Sequence, residues 1–268
     1  MARSPADLVA ALAADPKHGA IVCDIDGTLA PIAPTPELAR VLPEALAELE
    51  RLAGIYALVA CVTGRPAAQA RGMVPVETVA ISGNHGLEVM LGDEVTVVAQ
   101  AAKYAEPIHQ ALLAVENDGL LPEMGCRIED KGITFSVHYR GSPRPDHALR
   151  YLETQITPKL DRAGLSWSFG RMVLEVRPPV PIEEGQSVRD LVGASLPPVA
   201  LFGGGDVTDL DAPGVLDALV ADGRPGSAVR VGVRSGEGPG DMVMRAGLLA
   251  GCAEGFARVL EGLPRAAR

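Results

Sequence analysis

Apolar positions along this chain fall into short continuous runs that alternate with amphipathic stretches, the pattern of buried strands joined by helices. Residues 5–15 read as a short amphipathic helix. The run Ile21-Val22-Cys23 is a buried strand that delivers Asp24 and Asp26 into the turn Gly27-Thr28. Pro31, Pro34 and Pro36 exclude a continuous helix in the loop that follows. A helix is predicted over 43–53, with Pro43 at a favoured first position and Leu42, Leu46, Leu49 and Ala53 on one face. Residues 56–62 form a second buried strand, a helix starts near Ala67, and 78–82 is a third strand. That order predicts a doubly wound parallel α/β sheet.

The rhythm changes near residue 101. A helix over 101–115 precedes a segment, 126–140, in which Ile133, Phe135, Val137 and Tyr139 alternate with Thr134, Ser136, His138 and Arg140. A period of two predicts a half-buried antiparallel strand with its polar row outward. A helix over 146–163 and a paired strand or hairpin over 166–177 follow. Pro178-Pro179-Val180-Pro181 then reads as a hinge back to the first pattern. Helix 186–194, strand 198–202, a Gly-rich acidic loop at 203–211, helix 214–221, strand 228–233 and helix 246–260 complete the chain. The expected architecture is therefore a Rossmann-like core, residues 1–102 and 181–268, with an inserted α+β cap domain at 103–180.

At 268 residues and 47% hydrophobic content the chain has material for a sizeable core. The net charge of −10 argues against a nucleic-acid surface. No apolar run approaches the ~18 residues of a membrane span, and the first residues lack signal-peptide character. Cys23, Cys61, Cys126 and Cys252 show no metal-binding spacing. A reduced, cytoplasmic protein without nucleic-acid or membrane partners, monomeric in its simplest form, is expected.

Chemistry concentrates at strand ends, where open α/β sheets bind ligands. Two carboxylates one residue apart, Asp24 and Asp26, need a cation, a proton or a donor if buried. They suit a shared Mg²⁺ or a division into nucleophile and acid. Thr63-Gly64-Arg65 ends the second strand, where a hydroxyl and backbone N–H groups suit a phosphate, although Thr-Gly also reads as an ordinary helix cap. His85, in Gly83-Asn84-His85-Gly86, could contact substrate, but seen alone it reads first as a plain polar loop residue, because loop histidines are commonplace.

The string Asp24-Ile-Asp-Gly-Thr-Leu29 resembles the nucleophile motif of the haloacid dehalogenase superfamily of phosphohydrolases. Together with Gly83-Asn-His-Gly86, Glu129-Asp-Lys-Gly-Ile-Thr-Phe-Ser-Val-His-Tyr-Arg140, Gly170-Arg-Met-Val-Leu-Glu-Val-Arg-Pro178 and Asp206-Val-Thr-Asp209, it makes the chain similar to the trehalose-6-phosphate phosphatase family. The resemblance implies a Mg²⁺-dependent phosphatase of a sugar phosphate, with an aspartyl-phosphate formed on Asp24 and Asp26 as acid and base. It implies phosphate contacts from Thr63, Gly64 and Arg65. Metal ligation falls to Asp24, Asp26, Asp206 and Asp209. Sugar contacts fall to His85, Glu129, Lys131, His138, Arg140, Arg171 and Glu175. Read from charge alone, the last group is also what a solvated strand face with cross-strand ion pairs would carry.

Two positions depart from the family pattern. Glu183-Glu184-Gly185 stands where a Lys-Gly is expected, and Gly205 stands where the acidic loop usually begins with Asp. They motivate two alternatives, a sugar-phosphate-binding or regulatory homologue with impaired catalysis, and a phosphatase for another sugar or cyclitol phosphate.

Overall fold

Every position of β1 (Gly19–Asp24) is buried, because the strand lies at the middle of a sheet with parallel neighbours on both sides. In the computed structural model, residues 5–33, 35–170, 172–180, 199–204, 227–234 and 248–264 are described. The expected helices at 186–194 and 214–221, and residues Arg171, Glu184, Gly205, Asp206 and Asp209, lie outside them.

The chain divides into two compact units, one of residues 1–96 and 182–268, the other of residues 97–181. In the first, β1 is flanked by β2 (Leu58–Val62) and β10 (Val199–Gly204). Beyond them lie β3 (Ala80–Gly83) on one side, and β11 (Ser227–Val233) and β12 (Leu248–Ala250) on the other, all parallel. The strand order β12-β11-β10-β1-β2-β3 makes the carboxyl end of β1 the point where the winding reverses. Cys23 pairs with Gly203 on one side and Cys61 on the other, so Asp24 emerges where its neighbours end.

Helices form where the apolar spacing predicts them. α1 (Pro5–Ala14) and α2 (Pro43–Ala53) appear close to the predicted bounds, and α2 buries Ala45, Leu49 and Leu52. α3 (Ala67–Met73) begins directly after the turn that ends β2. The C-terminal segment differs from expectation. Leu248–Ala250 pairs in parallel with Val231–Val233, and the helix α9 (Ala253–Glu261) starts only after Gly251-Cys252. A short apolar run satisfies a sheet edge as readily as a helix face. Arg51 of α2 then reaches carbonyls at and just past the end of this helix, donating to Leu260 and Pro264 at 3.0 and 2.7 Å. The sheet also gains a pair that the sequence reading passed over, β4 (Glu88–Leu91), antiparallel to β3, and β5 (Glu94–Val97), joined through Gly92-Asp93.

The second unit is a four-stranded antiparallel sheet, in the order β6 (Arg127–Asp130), β7 (Phe135–His138), β9 (Val173–Arg177), β8 (Ser166–Gly170). The antiparallel strand predicted over the latter half of 126–140 is β7, and β6 precedes it in a hairpin that turns at Lys131-Gly132. The helix predicted over 101–115 is two, α4 (Ala99–Ala102) and α5 (Ala105–Glu116), and a short α6 (Leu120–Glu123) follows. The helix predicted over 146–163 runs from α7 (Pro145–Tyr151) to α8 (Thr157–Arg162) through a π-helical stretch, Leu152–Ile156. Pro158 explains that widening: without an N–H it cannot bond the carbonyl four residues back, and the wider turn relieves its ring. Phe135, Val137, Leu174 and Val176 meet Ile108, Leu112, Leu152, Ile156 and Leu160 in this unit's own core.

Tyr56 sits in the first core with its ring buried and its hydroxyl without a hydrogen-bond partner among the described residues. Burial pushes this phenol up to about 12. An unpaired buried hydroxyl costs free energy that a ring of the same shape without it does not. Tyr56→Phe should therefore be neutral or stabilising by up to ~1 kcal/mol in urea denaturation. A loss of more than about 1 kcal/mol would show that the hydroxyl has a partner.

Candidate active site

The chain after β1 folds back on itself in five residues. Three consecutive amides, Thr28, Leu29 and Ala30, donate to the Ile25 carbonyl at 3.3, 3.0 and 2.8 Å, and Gly27 N–H donates to Ala30 at 2.7 Å. Gly27 takes φ 87°, a value open to glycine at no steric cost. Ile25, Leu29 and Ala30 are buried in the core and anchor the turn, which leaves the two aspartates on its polar side.

Asp24 is 9% exposed and accepts a hydrogen bond from the Thr28 hydroxyl at 3.0 Å. Asp26 is engaged from a different strand end. Arg65 Nε donates to its Oδ2 at 2.7 Å and Arg65 Nη2 to its Oδ1 at 2.8 Å, a two-pronged pairing of guanidinium and carboxylate. Nη2 also donates to the Pro36 carbonyl at 2.9 Å, so the Pro-rich loop helps to aim the guanidinium. Fixed φ values stiffen that loop.

Thr63 and Gly64 lie beside Arg65 at the end of β2. Thr63 is buried, and its Oγ1 accepts from the Arg65 N–H at 3.2 Å, which leaves the hydroxyl proton free to point elsewhere. The Gly64 N–H donates to nothing among the described residues. A side chain at Gly64 would strike the His85 ring, since a Cβ there would lie 2.5 Å from His85 Cε1. The structure thus brings Asp24 with Thr28, Asp26 with Arg65, and Thr63-Gly64 with His85. The first N–H of α3 is a different matter. Ala67 N–H donates to Glu88 Oε2 at 2.8 Å, so this helix end is closed by a protein carboxylate rather than left open for a ligand.

Hard oxygen donors are available for a divalent cation. Asp24 contributes a carboxylate, and the Asp26 carbonyl accepts no hydrogen bond among the described residues. Oxygen-only ligands of this kind fit Mg²⁺. The described residues alone hold no group of three or more His, Cys, Asp or Glu side chains around one point.

In the second unit the register sorts the remaining candidates. Glu129, Ser136, Glu175 and Ser168 stand opposite one another in one row across the four strands. Arg127, His138, Val173 and Gly170 form the next row on the same face. Glu129 Oε2 lies 2.7 Å from His138 Nε2 and 3.8 Å from Arg127 Nη2. The hydrogen bond from His138 holds the Glu129 carboxyl below the usual Glu range, and Lys131 and Arg127 act in the same direction against its partial burial. Lys131 stands at the turn that closes the β6–β7 hairpin, and its N–H donates to Thr134 at 3.0 Å. Arg140 is exposed just past β7. The polar row predicted to face outward is partly covered. Ser136 is 1% exposed and Thr134 is buried, because a short serine between Glu129 and Glu175 is overtopped by its neighbours.

Three residues escaped the sequence reading: Thr28, Asn84 and Glu88. Thr28 sat within a quoted motif and only its role was missed. Asn84 and Glu88 form a buried pair, Asn84 Nδ2 to Glu88 Oε1 at 2.8 Å, visible only once β4 is known to pack beside α3.

A sequence model of the trehalose-phosphatase family matches residues 22–241. Curated relatives include the trehalose-phosphate phosphatases of Mycobacterium leprae, 30% identical over 73% of this chain and 47% of the relative, and of Mycobacterium tuberculosis, 30% identical over 73% of this chain and 51% of the relative. The chain therefore spans about half the length of the curated relatives it matches. Among solved structures, the C-terminal domain of Candida albicans trehalose-6-phosphate phosphatase is similar with a TM-score of 0.73 at 21% identity, covering 98% of this chain and 97% of that one. A trehalose-6-phosphate phosphatase related protein also gives 0.73, at 20% identity, over 90% of this chain and 95% of the other. These two likenesses are of fold. The sequence match runs through both halves of the sheet and the inserted unit, and by it the chain belongs to the trehalose-phosphatase family.

Proposed function

We propose that the chain hydrolyses a sugar phosphate, trehalose 6-phosphate, to trehalose and phosphate, through an aspartyl-phosphate on Asp24. The observation that carries this reading is the pair of aspartates at the central strand end, one steadied by Thr28 and the other clasped by Arg65. Membership of the trehalose-phosphatase family and the printed names of the relatives support the substrate.

Asp24 attacks phosphorus, forming a carboxyl oxygen–phosphorus bond as the bond to the sugar oxygen breaks. The departing oxygen takes a proton from Asp26. In the second step water attacks phosphorus and gives its proton to Asp26 while Asp24 leaves. The two-pronged Arg65 contact matches the second step, in which Asp26 starts as a carboxylate. In the first step the arriving phosphoryl oxygens compete for the same guanidinium and release one Asp26 oxygen to carry the proton. Thr63 and the Gly64 N–H hold the remaining phosphoryl oxygens. Mg²⁺ would be held by the Asp24 carboxylate, the Asp26 carbonyl and an acidic side chain at Asp206 or Asp209, and when bound it would offset charge on the transferring group. His85, Glu129, Lys131, His138, Arg140, Arg171 and Glu175 serve the sugar, offering both acceptors and donors to its hydroxyls. Four unpaired cysteines accord with a reducing cytoplasm, and no helix among the described residues is long and apolar enough to cross a membrane. A monomer suffices for this chemistry.

A second reading rests on Glu184 and Gly205, which replace a cation and a metal ligand expected by family resemblance. It makes the chain a binding or regulatory homologue. Calorimetric binding of trehalose 6-phosphate without phosphate release at saturating Mg²⁺ would select it. Release from another sugar or cyclitol phosphate in preference would instead change only the substrate.

Two substitutions test the leading reading. Asp24→Asn should lower Mg²⁺-dependent phosphate release by about a thousandfold or more with the melting temperature little changed. Undiminished turnover would remove Asp24 as nucleophile. Arg65→Lys keeps the charge but gives up the fork, and kcat should fall by about ten- to a hundredfold. A rate within about twofold of the wild type would show that charge alone, not geometry, is needed at Asp26.

A further inference from the structure

The turn at residues 84–86 holds two consecutive non-glycine residues in the left-handed region, Asn84 at φ 49° and His85 at φ 55°. Such a conformation persists only where the surroundings impose it. Glu88 is the group that does so. It is 8% exposed, and its two carboxylate oxygens reach two different elements. Oε1 accepts from Asn84 Nδ2 at 2.8 Å, and Oε2 accepts from the Ala67 N–H at 2.8 Å. The Asn84 N–H donates in turn to the Arg65 carbonyl at 2.8 Å, and the His85 N–H to the Thr63 carbonyl at 3.1 Å. Three of these hydrogen bonds stitch the turn after β3 to the turn after β2, the fourth ties Asn84 to Glu88 within the segment after β3, and the carboxylate lies where the α3 backbone dipoles favour negative charge.

We propose that Glu88 is a positioning residue for the reaction: it locks the two turns into one rigid piece and thereby sets the Arg65 guanidinium on Asp26 and the His85 ring beside Gly64. This rests on the phosphatase reading above. Glu88 touches neither aspartate. It acts through backbone placement, and a displacement of about 1 Å in such a constellation costs up to about a hundredfold in rate. It also occupies the Ala67 N–H, the first of α3.

The test uses the full chain with Glu88→Ala and Glu88→Gln, and compares kcat and KM for trehalose 6-phosphate, melting temperature, and amide hydrogen exchange at Asn84 and His85. Glu88→Ala should lower kcat by about tenfold or more, change KM by less than about threefold, and speed exchange at both amides. Glu88→Gln should recover to within about threefold of the wild type, since an amide oxygen still accepts from Ala67 and an amide nitrogen still meets Asn84 with its side-chain amide turned over. A Glu88→Ala enzyme that melts lower but keeps kcat within about twofold would overturn the proposal and leave Glu88 a plain helix cap. So would a Glu88→Gln enzyme as impaired as Glu88→Ala. If Glu88→Ala does not fold, Asn84→Asp sets two carboxylates against each other. It should lose rate, and Asn84→Asp combined with Glu88→Gln should regain it; no regain counts against the proposal. If the wild-type chain releases no phosphate, the phosphatase reading falls by itself, and unchanged exchange at Asn84 and His85 in Glu88→Ala would separately overturn the role of Glu88.

Discussion

Two carboxylates brought to the end of one buried strand are the constraint on which the rest of this structure depends. Removing a carboxylate from water costs several kcal/mol unless partners replace the lost hydration. The fold meets that demand for buried Asp24 through the Thr28 hydroxyl four residues on, while Asp26, whose side chain keeps 37% of its exposure, is oriented from a distance by Arg65 at the end of the next strand. The second solution has consequences. A guanidinium can clasp Asp26 from both sides only if β2, its turn and the Pro36 carbonyl all hold their places. The turn after β2 is in turn held by the turn after β3, with Glu88 closing the chain of contacts. Reactivity at the centre of the sheet is thus underwritten by hydrogen bonds that reach outward across three consecutive strands.

The same reasoning assigns a task to the antiparallel pair β4 and β5. β5 buries little, with Glu94, Val95 and Thr96 exposed, while Met90 of β4 joins the core. The pair's contribution to the site comes from its first residue, Glu88. Glu88 is buried, and hydrogen bonds from Asn84 and the first N–H of α3 replace the hydration its carboxylate gives up.

How much of this was legible in the sequence varies with the range of the interaction. The central strand and its aspartates were readable because both signals are local, a β-branched run and a turn dipeptide. Leu42, Leu46 and Leu49 gave α2 for the same reason. The Arg65–Asp26 pairing spans 39 positions and rests on strand order, which composition does not carry. The period of two over Ile133–Tyr139 told which side chains share a face, but only the pairing register puts Glu129, Ser136 and Glu175 in one row. Glu88 was invisible because it belongs to a strand with one charged residue and a weak pattern. Leu248–Ala250 was misjudged because three apolar residues before a helix continue its pattern as well as they fill a sheet edge. The acidic side chains expected at Asp206 and Asp209 lie outside the described residues, so that part of the site stands on sequence alone.

The central claim is that Asp24 takes the phosphoryl group before water does, in two in-line displacements. The stereochemical course at phosphorus measures this directly. With a trehalose 6-phosphorothioate made chiral at phosphorus by two oxygen isotopes and hydrolysed in water carrying the third, each displacement inverts the centre once. Two displacements predict net retention of configuration in the released thiophosphate. Net inversion would mean a single attack by water and would contradict it.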